Sequence, residues 1–113
     1  MSLANKESDI QAQVLEWLFM NKIFHWRSPN YSAPGRTFTG KKGLADITCI
    51  LDDGQMIWLE IKSANGKQSI EQIQFQREVE KRGHIYILTN SVDDFIKKFK
   101  PVLASQAALD KTS

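Results

Sequence analysis

The stretch Gly43–Lys62, GLADITCILDDGQMIWLEIK, decides how this chain folds. Two short apolar runs, 45–51 and 56–61, are rich in β-branched and aromatic residues and lie on either side of Asp52-Asp53-Gly54. This composition predicts a β-hairpin. A three-residue loop whose last residue is a glycine with left-handed backbone is one of the common hairpin closures, and we expect it here.

The hairpin register determines which polar side chains face each other. Closing the loop in this way pairs Leu51 with Gln55 and, further along the strands, Asp46 with Glu60. Directly opposed side chains on antiparallel strands lie about 4.5–5.5 Å apart at Cβ and point to the same face. Lys62, two residues after Glu60, shares that face. We therefore expect two carboxylates and an amine to converge on one side of an otherwise apolar hairpin.

A bound cation explains why two acids face each other. Like charges opposed on a sheet repel, so stability gives no reason to choose Asp46 opposite Glu60. Mg²⁺ prefers hard oxygen ligands and is usually held by one or two carboxylates together with water and substrate phosphate. Its charge would reverse the electrostatics that penalise the acid pair. The alternative is an interaction module whose acids are surface charges, and their opposed register disfavours it.

Length and composition limit the class of protein. With 113 residues, 42% hydrophobic and 25% charged, the chain is expected to form a single soluble domain over 1–113. A net charge of +2 does not by itself indicate a nucleic-acid binder. Cys49 is the only cysteine and is expected to be buried in a strand. Because no long apolar span or signal-peptide pattern is present, we expect a cytoplasmic protein without a membrane segment.

The first element is predicted to be a helix over about 6–20. Ile10, Val14, Trp17 and Leu18 form one apolar stripe at helical spacing. Glu7 projects along the same stripe, and two interpretations are open. Its carboxylate can favour the helix dipole from an exposed first turn, or it can reach over the sheet toward the acid pair.

A strand over 23–27 is followed by a long loop, 28–42, rich in glycine, proline, serine and asparagine. Basic side chains for phosphates alternate in it with aromatic side chains for stacking, which is what a DNA-contacting loop needs. The candidate DNA-binding residues are Arg27, Tyr31, Arg36, Phe38, Lys41 and Lys42. The alternative is a solvated loop whose aromatic residues pack against the core.

The rest of the chain predicts helix, strand and helix. Ser69 and Gln72 match a capping box that opens a helix ending near Gly83. Gln72 therefore has a structural explanation, beside a second in which it bonds a water or phosphate at the site. A strand over 84–88 leads into a helix that we expect Pro101 to end. The segment 101–113 is then expected to be a loose tail, with one more helical turn or packing on a second copy of the chain as the alternatives. The whole order predicts an α/β fold with a small mixed sheet flanked by helices.

Over residues 7–99, the chain resembles a stand-alone VRR-NUC domain, the virus-type replication-repair nuclease branch of the PD-(D/E)xK superfamily. The Glu-x-Lys motif alone is a weak signal, but the order and spacing of several matching segments are specific. These segments are Glu7–Gln11 (ESDIQ), Trp26-Arg27, Gly43–Asp46 (GLAD), Glu60–Lys62 (EIK) and Ser69–Gln72 (SIEQ). The resemblance implies a restriction-endonuclease-like core.

The resemblance also implies roles for individual residues. It implies a set of Mg²⁺ or Mn²⁺ ligands: Asp46, Glu60, the Ile61 backbone carbonyl and Glu7. Lys62 would position or activate the attacking water and stabilise charge on the phosphate, and Gln72 would orient the water or the scissile phosphate. Ala45 stands where the family often has proline or serine, a difference that bears on local backbone shape because this position supplies no ligand.

The activity implied by this resemblance is that of a metal-dependent, structure-specific DNA endonuclease. Small stand-alone members of this branch resemble dimeric Holliday-junction resolvases, so a homodimer that cuts branched or flapped DNA in a bacterial or phage-infected cell is expected. The alternative is a non-catalytic DNA-binding subunit of a larger replication or repair complex. Because no helix-turn-helix or zinc finger is evident, we expect recognition of DNA shape rather than base sequence.

Overall fold

The computed structural model describes residues 6–29 and 43–112, with side chains described as far as residue 106. The described chain contains three helices and four strands in the order that the sequence predicts. They are α1 (Glu7–Met20), β1 (Phe24–Arg27), β2 (Ile47–Ile50), β3 (Met56–Ile61), α2 (Ile70–Lys81), β4 (Ile85–Thr89) and α3 (Val92–Thr112). In the described residues, no helix is both long enough and apolar enough to cross a membrane.

The strands form one mixed sheet in the order β1-β2-β3-β4. The first three strands are antiparallel neighbours, and β4 runs parallel to β3 after the α2 crossover. In the hairpin, Thr48 lies opposite Trp58, as the loop type predicts. The Leu51 N–H donates to the Gln55 carbonyl at 2.9 Å, and Gly54 closes the turn with φ +90°, a backbone conformation that glycine adopts readily. The predicted mixed sheet and hairpin register are therefore confirmed.

One face of the sheet carries the larger core, beneath α1 and α3. The strands contribute small and branched apolar side chains, and each helix contributes a stripe of buried residues. The buried members include Ile47, Cys49, Ile57, Leu59 and Ile87 from the sheet, Ile10, Val14 and Leu18 from α1, and Phe95 and Phe99 from α3. Trp17 packs edge-on against both phenylalanines, with ring centroids 5.3 and 5.6 Å apart. The stripe predicted for α1 is thus the face that it buries.

Helix α2 covers the opposite face. Its buried residues Phe75 and Val79 pack with Ala45 and Tyr86. The Phe75 ring also lies edge-on to Trp58, with centroids 4.9 Å apart. Since Trp58 and Tyr86 belong to β3 and β4, α2 packs on that half of the sheet.

The prediction that Pro101 ends the last helix is wrong. Helix α3 continues through Pro101 to Thr112. Proline removes one N–H from the helix ladder and is costly inside a helix. Pro101 is exposed, however, so water can reach the carbonyl left without a donor. Val102 and Leu103 pack against the larger core, and this burial favours continuing the helix.

Candidate functional site

The two predicted acids meet where β2 begins and β3 ends. Ile47 lies opposite Leu59 in the ladder, so the adjoining positions, Asp46 and Glu60, are brought side by side. Asp46 Oδ2 accepts a hydrogen bond of 2.7 Å from the Ile61 backbone N–H. The Asp46 side chain therefore lies against the backbone of β3, just beyond the last residue pair of the regular ladder.

Glu60 is almost completely buried, with 1% of its surface exposed. Its Oε1 accepts a hydrogen bond of 3.4 Å from the Tyr86 hydroxyl, and its Oε2 lies 3.6 Å from Lys62 Nζ. The Lys62 side chain keeps 18% of its surface exposed, so its ammonium group lies between the buried acid and solvent. The structure thus brings Asp46, Glu60 and Lys62 together on the face of the sheet that the hairpin register predicts.

The local environment favours the protonated form of Glu60. Burial, and then the neighbouring Asp46 carboxylate, raise the pKa of Glu60 to about 8, while the Lys62 ammonium and the Tyr86 hydroxyl act in the opposite direction. Burial also raises the pKa of Tyr86, which keeps its phenol neutral and able to donate to Glu60. Because Glu60 is buried beside a second carboxylate, a cation bound at this site would compete with the Glu60 proton.

The donor atoms of this site fit a hard divalent cation. Within residues 6–29 and 43–112, no group of three or more histidine, cysteine, aspartate or glutamate side chains could hold a metal ion. Asp46 and Glu60 would therefore share any bound cation with backbone, water or phosphate oxygens. This is the mode in which Mg²⁺ is usually bound, and it differs from the all-protein ligand cages of structural zinc.

Glu7 lies at the rim of the site, in contrast to the buried Glu60. It is exposed in the first turn of α1, and its Oε1 accepts a hydrogen bond of 3.2 Å from the Ser63 backbone N–H. A Cβ placed on Gly66 would lie 3.3 Å from the same oxygen. The carboxylate thus contacts the segment that directly follows Lys62. Its role as a cation ligand stays a prediction.

Gln72 forms the predicted capping box. Its Oε1 accepts a hydrogen bond of 2.8 Å from the Ser69 backbone N–H, and Ser69 Oγ accepts one of 3.1 Å from the Gln72 backbone N–H. The structural interpretation of Gln72 is therefore realised. Its role toward a water or phosphate stays a prediction.

The candidate DNA-binding residues fall into two groups. Arg27 is described and is exposed at the end of β1. The others lie outside the described residues: Tyr31, Arg36, Phe38, Lys41 and Lys42.

Sequence reasoning missed the polar residues behind Glu60. Gln68 Nε2 donates to the Tyr86 hydroxyl at 3.3 Å and to Gln76 Oε1 at 3.1 Å, which extends the hydrogen bonds of the site from β4 to α2. Tyr86 lies beside Glu60 because β4 pairs in parallel with β3, Trp58 opposite Tyr86. The sequence predicts a strand there but contains no signal for its register.

Comparisons with known proteins identify the fold. No protein-family profile matches the chain, and no curated protein sequence matches it significantly. One solved structure described as a VRR_NUC domain is similar to it with a TM-score of 0.63 and 23% sequence identity, over 87% of this chain and 97% of the other. A second, described as a VRR_NUC domain protein, has a TM-score of 0.66 and 19% identity over 87% and 88% of the two chains. The chain therefore has the fold of the VRR_NUC domain, as the resemblance of its sequence motifs implied.

Proposed function

We propose that this protein is a metal-dependent DNA endonuclease that hydrolyses phosphodiester bonds in branched DNA, such as Holliday junctions or flaps. One observation carries the proposal: Asp46 and Glu60 lie side by side on a sheet, and the Lys62 ammonium lies 3.6 Å from Glu60. The similarity to VRR_NUC domain structures supports a domain of the nuclease type.

The proposed roles follow from the chemistry of each group. Asp46 and Glu60, with the Ile61 carbonyl, would hold Mg²⁺ or Mn²⁺. The bound cation would acidify a water molecule and neutralise charge on the phosphate. The Lys62 ammonium would stabilise the negative charge that develops on the phosphate oxygens. Its partial exposure lets it contact a substrate while it remains beside Glu60.

Other residues would act around this centre. Glu7, at the rim, would hold the cation or its water molecules, and Gln72 would orient the attacking water or the scissile phosphate. Both proposals rest on the resemblance of the sequence motifs. Arg27 and the basic and aromatic residues of 30–42 would contact the DNA backbone and bases. Recognition would depend on DNA shape.

The test is a cleavage panel of linear, nicked, flapped and four-way DNA, each with Mg²⁺, with Mn²⁺ and with a chelator. We expect cleavage only with a divalent cation. Lys62→Ala should lower the rate by about 100-fold or more, the usual effect of removing a charge-stabilising donor. Lys81→Ala is the matched control, since Lys81 is an exposed lysine in the last turn of α2, away from the acids.

Cleavage by Glu60→Ala at the wild-type rate would contradict the proposed site. Salt-sensitive DNA binding without cleavage under any of these conditions would instead favour a non-catalytic DNA-binding subunit.

We also propose a homodimer, because a symmetric four-way junction requires two cuts. Light scattering at the concentration used for cleavage should give about twice the chain mass of 12.9 kDa. A mass near 12.9 kDa would count against paired cutting.

A further inference from the structure

Strand β1 carries two exposed aromatic side chains. Phe24 and Trp26 have 67% and 42% of their surfaces exposed, and their rings contact each other with centroids 5.8 Å apart at an interplanar angle of 64°. We call this pair the aromatic edge. Single apolar residues on a surface need no explanation, but two exposed aromatic side chains in contact form a contiguous patch that can bind a ligand.

The aromatic edge shares a face of the sheet with the acid pair. Trp26 lies opposite Thr48, which lies opposite Trp58, and cross-strand partners point to the same side. Asp46 is two residues from Thr48 and therefore also lies on this side. At about 3.3 Å per residue, Trp26 is displaced from the acid pair by about 7 Å along the strands, and Phe24 by about 13 Å.

On this face, the β1 residues Phe24 and Trp26 are exposed, whereas Thr48 of the adjoining strand β2 is fully buried. Helix α2 packs its buried residues, Phe75 and Val79, against Trp58 and Tyr86 of the other two strands. The aromatic edge therefore forms an exposed continuation of the site, on the side away from α2. Arg27, next to Trp26 in the strand, is exposed as well, but the alternation of side chains along a strand places it on the opposite face, opposite Ile47.

The exposed area argues against a second copy of the chain as the occupant. A stable protein interface buries about 800 Å² on each partner. A Phe and a Trp bury roughly 150–250 Å² each when fully covered, so this partly exposed pair offers well under half of that area. Phe19 and Met20 are also exposed, but they belong to α1, which packs on the opposite face of the sheet. Ile70 and Ile73 are exposed on α2, which packs on β3 and β4 and not on β1.

We propose that the aromatic edge stacks unpaired DNA bases that adjoin the scissile phosphate. Every base has a π-face, so stacking on Phe24 and Trp26 would bind single-stranded nucleotides without reading their sequence. The proposal rests on the proposed nuclease function and narrows its substrate class. The preferred DNA has unpaired nucleotides next to the cut, as in a flap or an open junction, and a continuous duplex is a poor substrate because its bases are already stacked.

The test measures binding and cleavage separately. Binding of a fluorescently labelled single strand, a flapped duplex and a continuous duplex is measured by anisotropy in the presence of a chelator, so that no cleavage occurs. Trp26→Ala and Phe24→Ala should each weaken binding of the single strand and the flap by about tenfold or more and leave binding of the continuous duplex nearly unchanged. Phe19→Ala is the matched control, since it removes an aromatic side chain that is even more exposed, 75%, from α1 and should change neither the binding of single strands and flaps nor that of the duplex.

The results distinguish failure of the stacking proposal from failure of the nuclease proposal. If the wild-type protein cleaves flaps with Mg²⁺ and both aromatic variants bind and cleave as the wild type does, the stacking proposal is wrong and the nuclease proposal stands. If no DNA is cleaved but single-strand binding depends on Trp26 and Phe24, the nuclease proposal is wrong and stacking stands. If either substitution lowers the mass of the free protein in light scattering without changing single-strand binding, the aromatic edge is an interface between copies and stacking is wrong.

Discussion

The carboxylate of Asp46 accepts a hydrogen bond of 2.7 Å from the backbone N–H of Ile61, so a side chain at the start of β2 satisfies a backbone donor at the end of β3. This bond holds the Asp46 carboxylate beside Glu60. The hydrogen bond requires only an acceptor oxygen at Asp46, whereas cation binding requires its negative charge. Substitutions can therefore test the two roles independently.

Asp46→Asn should fold as well as the wild type and lose cation binding. The amide keeps an oxygen that can accept from Ile61 and removes the negative charge that helps to raise the pKa of Glu60. Asp46→Ala leaves the Ile61 N–H without this acceptor and should cost about 1–3 kcal/mol of unfolding free energy. Urea unfolding of both variants, with and without Mg²⁺, measures the difference. Equal stability of the two variants would show that the bond to Ile61 contributes little.

Without a divalent cation, the protein should become less stable as the pH rises from about 5 to 8. The unfolded chain releases the Glu60 proton near its ordinary pKa of 4.5, whereas the folded chain keeps it until about pH 8. Between these values the folded state binds more protons, so stability falls by up to about 1.4 kcal/mol per pH unit and levels off above this window.

Glu60→Gln is the matched variant, because a neutral amide cannot titrate. The urea midpoint of each protein is measured in a chelator across the same pH range. It should fall less with rising pH in Glu60→Gln than in the wild type, because Glu60 no longer contributes to the loss of stability. Mg²⁺ should stabilise the wild type more at high pH than at low pH, since the cation competes with the proton. Parallel pH profiles for the two proteins would contradict the raised pKa of Glu60.

Thr48→Val should leave stability unchanged or raise it by about 1 kcal/mol. The side chain is fully buried, and its hydroxyl has no hydrogen-bond partner in the described part of the chain. Valine has nearly the same shape and favours strands, while the cost of burying an unpaired hydroxyl disappears. Thermal unfolding measures the change. A loss of more than about 1 kcal/mol would indicate that the hydroxyl bonds a buried water or another group.

Gly43→Ala should destabilise the protein strongly and impair the site. Gly43 has φ +82°, and a Cβ there would overlap the Glu71 carbonyl and lie 3.0 Å from Gln72 N, in the first turn of α2. The helix would have to move away from the segment 43–46, which leads into β2 and carries Asp46. Gly54→Ala is the control, because Gly54 also has positive φ, +90°, but a Cβ there has nothing within 4 Å. Gly54→Ala should lower the free energy of unfolding by only about 1 kcal/mol. Similar losses of unfolding free energy in both variants would mean that close packing at Gly43 matters little.

The parts of this protein that local rules govern can be predicted from the sequence. The loop closed by Gly54 sets the hairpin register, and the register alone brings Asp46 opposite Glu60, because strand pairing across a tight loop leaves no freedom to slip. The capping box of Ser69 and Gln72 and the apolar stripe of α1 are predictable for the same reason, since each depends on residues within a few positions of one another.

Only the tertiary structure decides the features that depend on distant segments. Tyr86 comes to bond Glu60 through a parallel pairing that follows the α2 crossover, and Glu7 comes to accept from Ser63 because α1 packs across the sheet. Helix α3 continues past Pro101 because its next residues pack against the core, which outweighs the local cost of proline. In each case, packing between segments that are far apart in the chain supplies the free energy that stabilises the arrangement. No local pattern in the sequence predicts this packing.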